Sequence, residues 1–382
     1  MLTNVFQFLR ARERGQVLMM TAVLLPMLLG FTAMAVDLGS WSGERRNLQK
    51  AADSIALAAV QELCKESCAT YTGDQGNATA AAIQWAHKND INPSEMTVTF
   101  PGSTTDPRVR VVIGRDHDFA FIRILGIKSA DVDGKATAAK VSVGGASGVV
   151  PWTVTQFTVN SSPAGDPIVL KYDATGGPVA PGNFGAIRID GSGSATYRQD
   201  AMYGSNSFVC AVTAENCVVG ACPGTYPETC AEDSPTCDGP VCDPETGNMT
   251  GPTRTAVDFR LNNTSAECDT FAEAFGTPDA FGKYHLDTDC NPWNGPGQCD
   301  SPTDICSRRV IIIPVVDDFG NGQTPVTFQR FALVYLEGYT PGKCRGKSCE
   351  IIGRFVNADV TPNALAGAYD EGASIHFWKL VE

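Results

Sequence analysis

Fourteen cysteines carry most of the chemical capacity of this chain: Cys64 and Cys68, then Cys210, Cys217, Cys222, Cys230, Cys237, Cys242, Cys268, Cys290, Cys299, Cys306, Cys344 and Cys349. Thiolates either hold zinc or oxidise to disulfides. Structural zinc favours C-x2-C pairs, often with histidine. Here the short spacings include C-x3-C at 64/68 and C-x4-C at 217/222 and 344/349, with no C-x2-C, and the chain holds only four histidines. The pattern points to disulfides, and hence to an oxidising compartment. The sequence does not give the pairing of the twelve later cysteines. Cys64 and Cys68, four apart and far from the rest in sequence, are expected to pair with each other.

Two oxygen-rich stretches have metal-ligand spacing. In "IDGSGSA", Asp190, Ser192 and Ser194 form a D-x-S-x-S pattern after the apolar "FGAIRI", as a metal-dependent adhesion site requires. The chain that follows is Cys/Pro/Gly-rich and does not alternate helices with apolar strands, so a Gly-Ser turn leaving a strand is the plainer reading. In "DTDCNPW", Asp287, Asp289 and Asn291 occupy positions 1, 3 and 5 of a calcium loop. Pro292 stands where the sharp turn needs Gly, and no Glu stands at position twelve. His117 and His285 flank acids, but there is no G-x-S-x-G, H-E-x-x-H or Walker loop. No catalytic residue, resident metal or cofactor is therefore assigned. Trp85, Trp152, Trp293 and Trp378 read as packing residues.

The elements that would position these groups begin with an uncharged apolar run from Val17 to Val36. As a helix it matches the roughly 30 Å hydrocarbon core of a bilayer. Arg10, Arg12 and Arg14 precede it and Asp37 is the first charge after it, which predicts a cytoplasmic N-terminus and an extracytoplasmic bulk. Ala33-Met34-Ala35 fits a signal-peptide cleavage site after Ala35. Against cleavage, the run is long and continues as a helix, with Leu48, Ala51, Ala52, Ile55, Ala58, Ala59 and Leu63 at helical spacing and Arg45, Gln49, Asp53 and Gln61 on the surface. Prepilin-type processing after Gly15 would need Glu at a place that holds Met20. The segment thus reads as a retained anchor.

Formal charge is −13 over 382 residues, with no Lys/Arg cluster beyond the apolar run, so nucleic acid is not expected as a partner. The expected organisation is a tail at 1–16, a span at 17–36, a small α+β domain at 37–143, a Gly-rich linker at 144–150 and a mainly β, disulfide-rich exported domain at 151–382. The α+β domain reads helix, helix at Asn77–Lys88, strands at "MTVTF" and "RVRVVIG", a short helix in "DFAFIRILGI" and a strand in "ADVDGKATAAKVSV". Beyond it, "PIVLKYD", "FGAIRID", "TAVDFRL", "RRVIIIPVVDD" and "TPVTFQRFALVYLEGY" read as strands, with Asn321-Gly322 a hairpin signal and Pro314 marking an edge or bulge. The Cys-rich excursion 210–306 is expected to be held by disulfides in place of its own core.

"RGQVLMMTAVLLPMLLGFTAMAVDLGSWSGERRNLQKAADSIALAAV" resembles the N-terminal segment of TadG-like proteins of the tight-adherence (Flp) pilus assembly system. The matching elements are Arg14-Gly15-Gln16, Leu25-Pro26, Val36-Asp37-Leu38-Gly39 and "ERRNLQKAADSIALAA". The likeness to TadG-like and TadE-like chains extends to about residue 143, giving an expected pilin-like α+β unit. It implies a non-enzymatic envelope protein, anchored by one span, that assembles, anchors or tethers an adhesive pilus. Its expected partners are the membrane and pilus or envelope proteins, with self-association through the Ala-rich helix as a further possibility. A surface module binding glycan or matrix through the disulfide-rich domain is the alternative, and an exported hydrolase a remote one.

Overall fold

The computed structural model describes residues 3–65, 67–172, 183–207, 209–211, 241–245, 247–279, 282–293, 299, 304–322, 324–344, 346, 349–359, 364–367, 369–370, 373 and 375–381. Helix α1, Thr3–Val60, is one helix of 58 residues, about 87 Å long at 1.5 Å per residue. Its two halves obey different rules. Large apolar side chains from Leu18 to Phe31 are exposed, and Met34 only partly so, whereas Leu48, Ala52, Ile55 and Ala59 are fully buried. Pro26 lies within the bare half, a place where a membrane helix tolerates proline.

Helix α2, Tyr71–Lys88, starts earlier than the Asn77 expected and buries Tyr71, Ala78, Ala82 and Ala86. The Asp74 carboxylate in its first turn accepts the Cys64 N–H at 2.8 Å, tying it to the end of α1. Both helices pack on a sheet whose antiparallel centre is β1 (Met96–Thr99), β2 (Arg108–Asp118) and β3 (Ser129–Ala146). Among the described residues further strands follow in chain order: β4 (Val154–Thr155), β5 (Pro167–Lys171), β6 (Val209–Cys210), β7 (Val241–Cys242), β8 (Val310–Val316) and β9 (Val326–Tyr339). Four more follow: β10 (Ile351–Val356), β11 (Ala358–Asp359), β12 (Ala364–Gly367) and β13 (Ile375–Leu380). The first sheet runs β1-β2-β3-β13-β11, with β6 and β12 also on β3; the second runs β4-β8-β9-β10-β5, with β7 on β9.

Several expectations are corrected here. Residues 144–146 belong to β3, and Val149 and Val150 engage Ile312 beyond it, so the Gly-rich stretch is a buried continuation of the sheet and not a linker. The chain's later strands β12 and β13 return to β3. "TAVDFRL" is helix: α5, Thr250–Asn262, buries Thr253, Ala256, Val257 and Arg260 on one face. Among the described residues "FGAIRID" makes isolated bridges and no strand, Trp152↔Ala186 and Ile187↔Pro244. With α3 (Gln156–Ser161), α4 (Ser194–Tyr203) and α6 (Phe271–Phe275), the distal part mixes helices and strands and is not mainly β. Within 210–306, Cys268, Ala274, Phe275 and Cys290 join the cluster that holds Phe328 and Phe331 of β9, so the described part of the excursion leans on a shared core. Strands β8 and β9 do pair antiparallel, but β8 ends at Val316 and β9 starts at Val326, so Asn321-Gly322 lies inside a longer connection and is not a two-residue hairpin turn; a register shift falls beside Pro314, between Val315 and Val316.

Among the described residues three apolar clusters result. One lies between α1, α2 and the first sheet; the other two lie on opposite faces of the second sheet. Strand β3 serves the first cluster with Val132, Ala136 and Ala138 and the next with Val143 and Ala146. Its burial changes accordingly, alternating before Ala136 and continuous after it, as expected of a strand covered first on one face and then on both.

Candidate membrane-anchoring site

Where the bare half of α1 meets the folded part, one acid organises the junction. Asp37 is 2% exposed although it sits on a helix at the end of an apolar run. Its carboxylate accepts three backbone N–H groups, from Ala120 (3.0 Å), Phe121 (2.8 Å) and Ile122 (2.6 Å). These are the leading donors of a short 3-10 turn, Ile122–Leu125, which no side chain of its own caps. Such donors need a partner when water is excluded. The turn closes with Gly126 at φ +94°, whose N–H donates to Arg123 O at 3.0 Å, a left-handed position suited to glycine. Phe119 N–H donates to Lys128 O at 2.9 Å and shuts the loop at its base.

The loop leans down the helix. Phe121, Ile122 and Ile124 line a small cavity of about 140 Å³ with Gly30, Ala33 and Met34 of α1. Just above, His117 Nε2 lies 3.2 Å from Ser40 Oγ. Arg115 bridges Glu44 on α1 (2.9 Å) and Glu95 ahead of β1 (2.7 Å). Further along, β3 meets α1 backbone to backbone. A Cβ on Gly134 would overlap the main chain of Leu48 and Gln49. Gln49, expected on the surface, instead donates to Lys135 O (2.7 Å) and accepts Lys135 N–H (3.2 Å). The buried Lys140 Nζ donates to Cys64 O (3.0 Å) and Leu63 O (3.4 Å), placing a cation at the carbonyl end of α1 where the helix dipole favours it. These contacts make α1 a fixed strut of the folded part.

Residues 15–62 match the family model Tad, described as "Putative Flp pilus-assembly TadE/G-like". That stretch is similar to the TadE/G-like family. No curated protein and no solved structure matches the chain. The TadE/G-like segment contains the apolar run, Asp37, Glu44, Gln49 and the buried face of α1, and it ends just before the loop at Cys64. The partners that hold it, residues 95–140, lie outside the match.

The residues singled out in sequence are not brought together. Asp190 accepts N–H groups of Asn206 (2.7 Å) and Ser207 (3.0 Å), while Ser192 and Ser194 lie at the start of α4; the motif is a turn braced by its acid. Asp287 accepts Asp289 N–H (2.8 Å) and Asn291 accepts Trp293 N–H (3.0 Å), so two of the three oxygens serve their own turn. Among the described residues no group of three or more His, Cys, Asp or Glu side chains is placed to hold a metal ion. His285 lies 3.4 Å from Asp279, away from His117. Trp152 is buried and donates to Tyr197 OH (2.8 Å), which is 2.9 Å from Thr253 Oγ1. Cys64 pairs with Cys68, Cys268 with Cys290, Cys299 with Cys306 and Cys344 with Cys349, and Cys210 and Cys242 are disulfide-bonded too. Cys217, Cys222, Cys230 and Cys237 lie outside the described residues, as do the side chains of Arg10, Arg12 and Arg14.

Sequence reasoning missed Asp37 as an organising residue and the loop as its partner. The signal was present: a single acid directly after a span, and "FAFIRILGI", whose apolar residues are too many for a solvated turn.

Proposed function

We propose that this chain is a non-enzymatic envelope component that assists assembly, anchoring or tethering of a Flp-type pilus. It is held by residues 17–36 with the N-terminal side cytoplasmic and residues 37–382 outside. The match of residues 15–62 to the TadE/G-like model carries the reading. Two physical features support it. The helix from Leu18 onward is long and apolar enough to cross a membrane and is bare over that stretch, and its continuation is locked into the folded part by Asp37, Arg115, Gln49 and Lys140. A rigid connection of this kind transmits orientation and force from a membrane to an assembly outside it.

Retention of the anchor follows from the same junction. Cleavage after Ala35 would remove Gly30, Ala33 and Met34 from the loop they face and leave Asp37 near a frayed helix end. Intact mass of the mature protein is expected to include residues before Val36. The self-association suggested for the Ala-rich helix has little surface left, because Ala51, Ala52, Ala58 and Ala59 are buried inside this chain, which leaves the distal part to meet partners. Deletion of the gene is expected to remove or thin Flp-type fibres in electron micrographs, with restoration by the full chain and not by one lacking residues 1–36. Unchanged fibre number in the deletion strain would refute the assignment.

A further inference from the structure

The loop 119–128 carries apolar side chains that the protein itself does not cover. Ile124 is 84% exposed, and Phe121 and Ile127 are also exposed. Singly, such residues need no explanation; three on one ten-residue loop do. Their position decides what covers them. Ala33 and Gly30, against which the loop packs, lie four and seven residues before Asp37, which is about 6 and 10 Å along the axis at 1.5 Å per residue. If α1 spans a bilayer up to Val36, the tip of the loop is at the same depth as the outer part of that span. We propose that loop 119–128 is a second membrane element, a re-entrant tip buried in the acyl region of the leaflet on the folded domain's side. The proposal rests on the spanning reading of residues 17–36.

A backbone at that depth must find its hydrogen bonds within the protein. Six of this loop's ten N–H groups do so: Asp37 takes the N–H groups of Ala120, Phe121 and Ile122, Phe121 O takes that of Ile124, Arg123 O that of Gly126 and Lys128 O that of Phe119. A single buried carboxylate thus takes up three of these amides. Arg123 and Lys128 are exposed beside the apolar tip, and their long stems let the charges reach phosphate headgroups while the tip stays in hydrocarbon. The helix and loop would then grip the leaflet at two points, fixing the tilt and rotation of α1.

The test is depth-dependent quenching in phosphatidylcholine proteoliposomes of the full chain. An environment-sensitive fluorophore is attached through p-azidophenylalanine introduced at Ile124, Ile127, Leu25 or Phe157 in turn, which leaves the cysteines untouched. Phe157, 79% exposed on the distal part, is the aqueous reference. Labels at Ile124 and Ile127 should emit blue of the Phe157 label and be quenched about twofold or more by lipids spin-labelled near the carbonyl, less by those labelled near the chain end, while Leu25 shows the deeper pattern of a span. Aqueous, unquenched emission at Ile124 and Ile127 with Leu25 quenched would overturn the proposal and leave the span standing. Blue but lipid-unquenched emission there would overturn it in favour of a protein cover, such as a helix of another chain. An unquenched Leu25 would remove the spanning reading and the proposal with it.

Discussion

Asp37 and Asp200 show how differently a buried carboxylate can be used. Asp37 faces three N–H donors, so its charge is matched and the loop depends on it. Replacing it with alanine should leave most of the fold in place but speed hydrogen exchange at Ala120, Phe121 and Ile122, with little change at β2 amides; protection that stays as in the wild type would show that the loop is held by packing alone. Asp200, 2% exposed in α4, meets a different environment. Burial is the main influence, with the neighbouring Asp190 charge adding to it, and together they push its carboxyl up to about 7. The native state therefore holds a proton that the unfolded chain gives up near pH 4. Stability from this group is complete at low pH and is lost as pH rises through about 4 to 7, by up to about 4 kcal/mol at 1.36 kcal/mol per unit. Asp200→Asn imitates the protonated form. It should raise stability at pH 8 and flatten the slope between pH 5 and 8 in urea unfolding followed at several pH values; a parallel, unflattened profile would show that another group sets that slope. Tyr197 stands nearby in a fully polar-satisfied core pair with Trp152 and Thr253, and Tyr197→Phe should cost about 1–3 kcal/mol by orphaning both partners. None of these partnerships is legible in sequence: those of Asp37 and Tyr197 join residues tens of positions apart, and that of Asp200 with Asp190, ten apart, crosses a turn whose shape must first be known.

The crossing of α1 over β3 places the strongest demand on any single element. Small residues on both sides let the helix approach the strand: alanines at 51, 52 and 59 from α1, and Gly134 on β3. Gly134→Val should destabilise the membrane-proximal part by at least about 2 kcal/mol, since backbone, unlike a flexible side chain, cannot yield to the new Cβ. Gly114→Val on β2 is the matched control, as nothing lies within 4 Å of its Cβ direction; equal losses at both sites in denaturant unfolding would mean that general strand effects dominate. Ala52→Glu and Ala59→Glu should likewise be strongly disruptive, both positions being fully buried. The elements of this part were legible because their periods are clean: 3.6 in α1 and α2, 2 in β1 and β2. The error at α5 is instructive. "TAVDFRL" contains β-branched and aromatic residues, and its short length allowed a strand. Yet Thr253, Ala256, Val257 and Arg260 are spaced i, i+3, i+4, i+7, a helical stripe whose polar members hid it from an apolar count. Arg260 is buried because its guanidinium donates to Ala201 O (2.7 Å) and Arg308 O (2.8 Å), partners that no local pattern announces.

On the scale of the whole molecule, β13 makes the two halves interdependent. It lies antiparallel to β3, pairing Phe377 with Val141, Lys379 with Ala139 and Leu380 with Ala138, and Val381 N–H donates to Thr137 O at 2.8 Å. Trp378 and Tyr369 pack against the cluster formed by α1, α2 and the first sheet. A boundary near residue 143 was the natural reading of "GGASGVVP", because Gly-rich composition usually marks a linker and long-range strand return leaves no trace in local pattern. Pairing of β13 with β3 joins residues more than two hundred apart, and what the sequence shows there is only "SIHFWKL", a short apolar run compatible with a strand anywhere. The arrangement carries a consequence that a chain of two independent units would not share. Removing residues 375–382 should bare a second edge of β3, leave Trp378's place in the first core empty and speed exchange at β2 and β3 amides near Val109, Val111 and Ala138, although all of these lie in the other half of the sequence. The distal cluster around Phe328 and Phe331 should lose less, since β8, β9 and β10 keep one another as neighbours. Hydrogen exchange on the truncated chain separates the possibilities: loss confined to the distal strands would mean that the membrane-proximal half folds without β13, and that the orientation of the distal part relative to the membrane is not fixed through this strand.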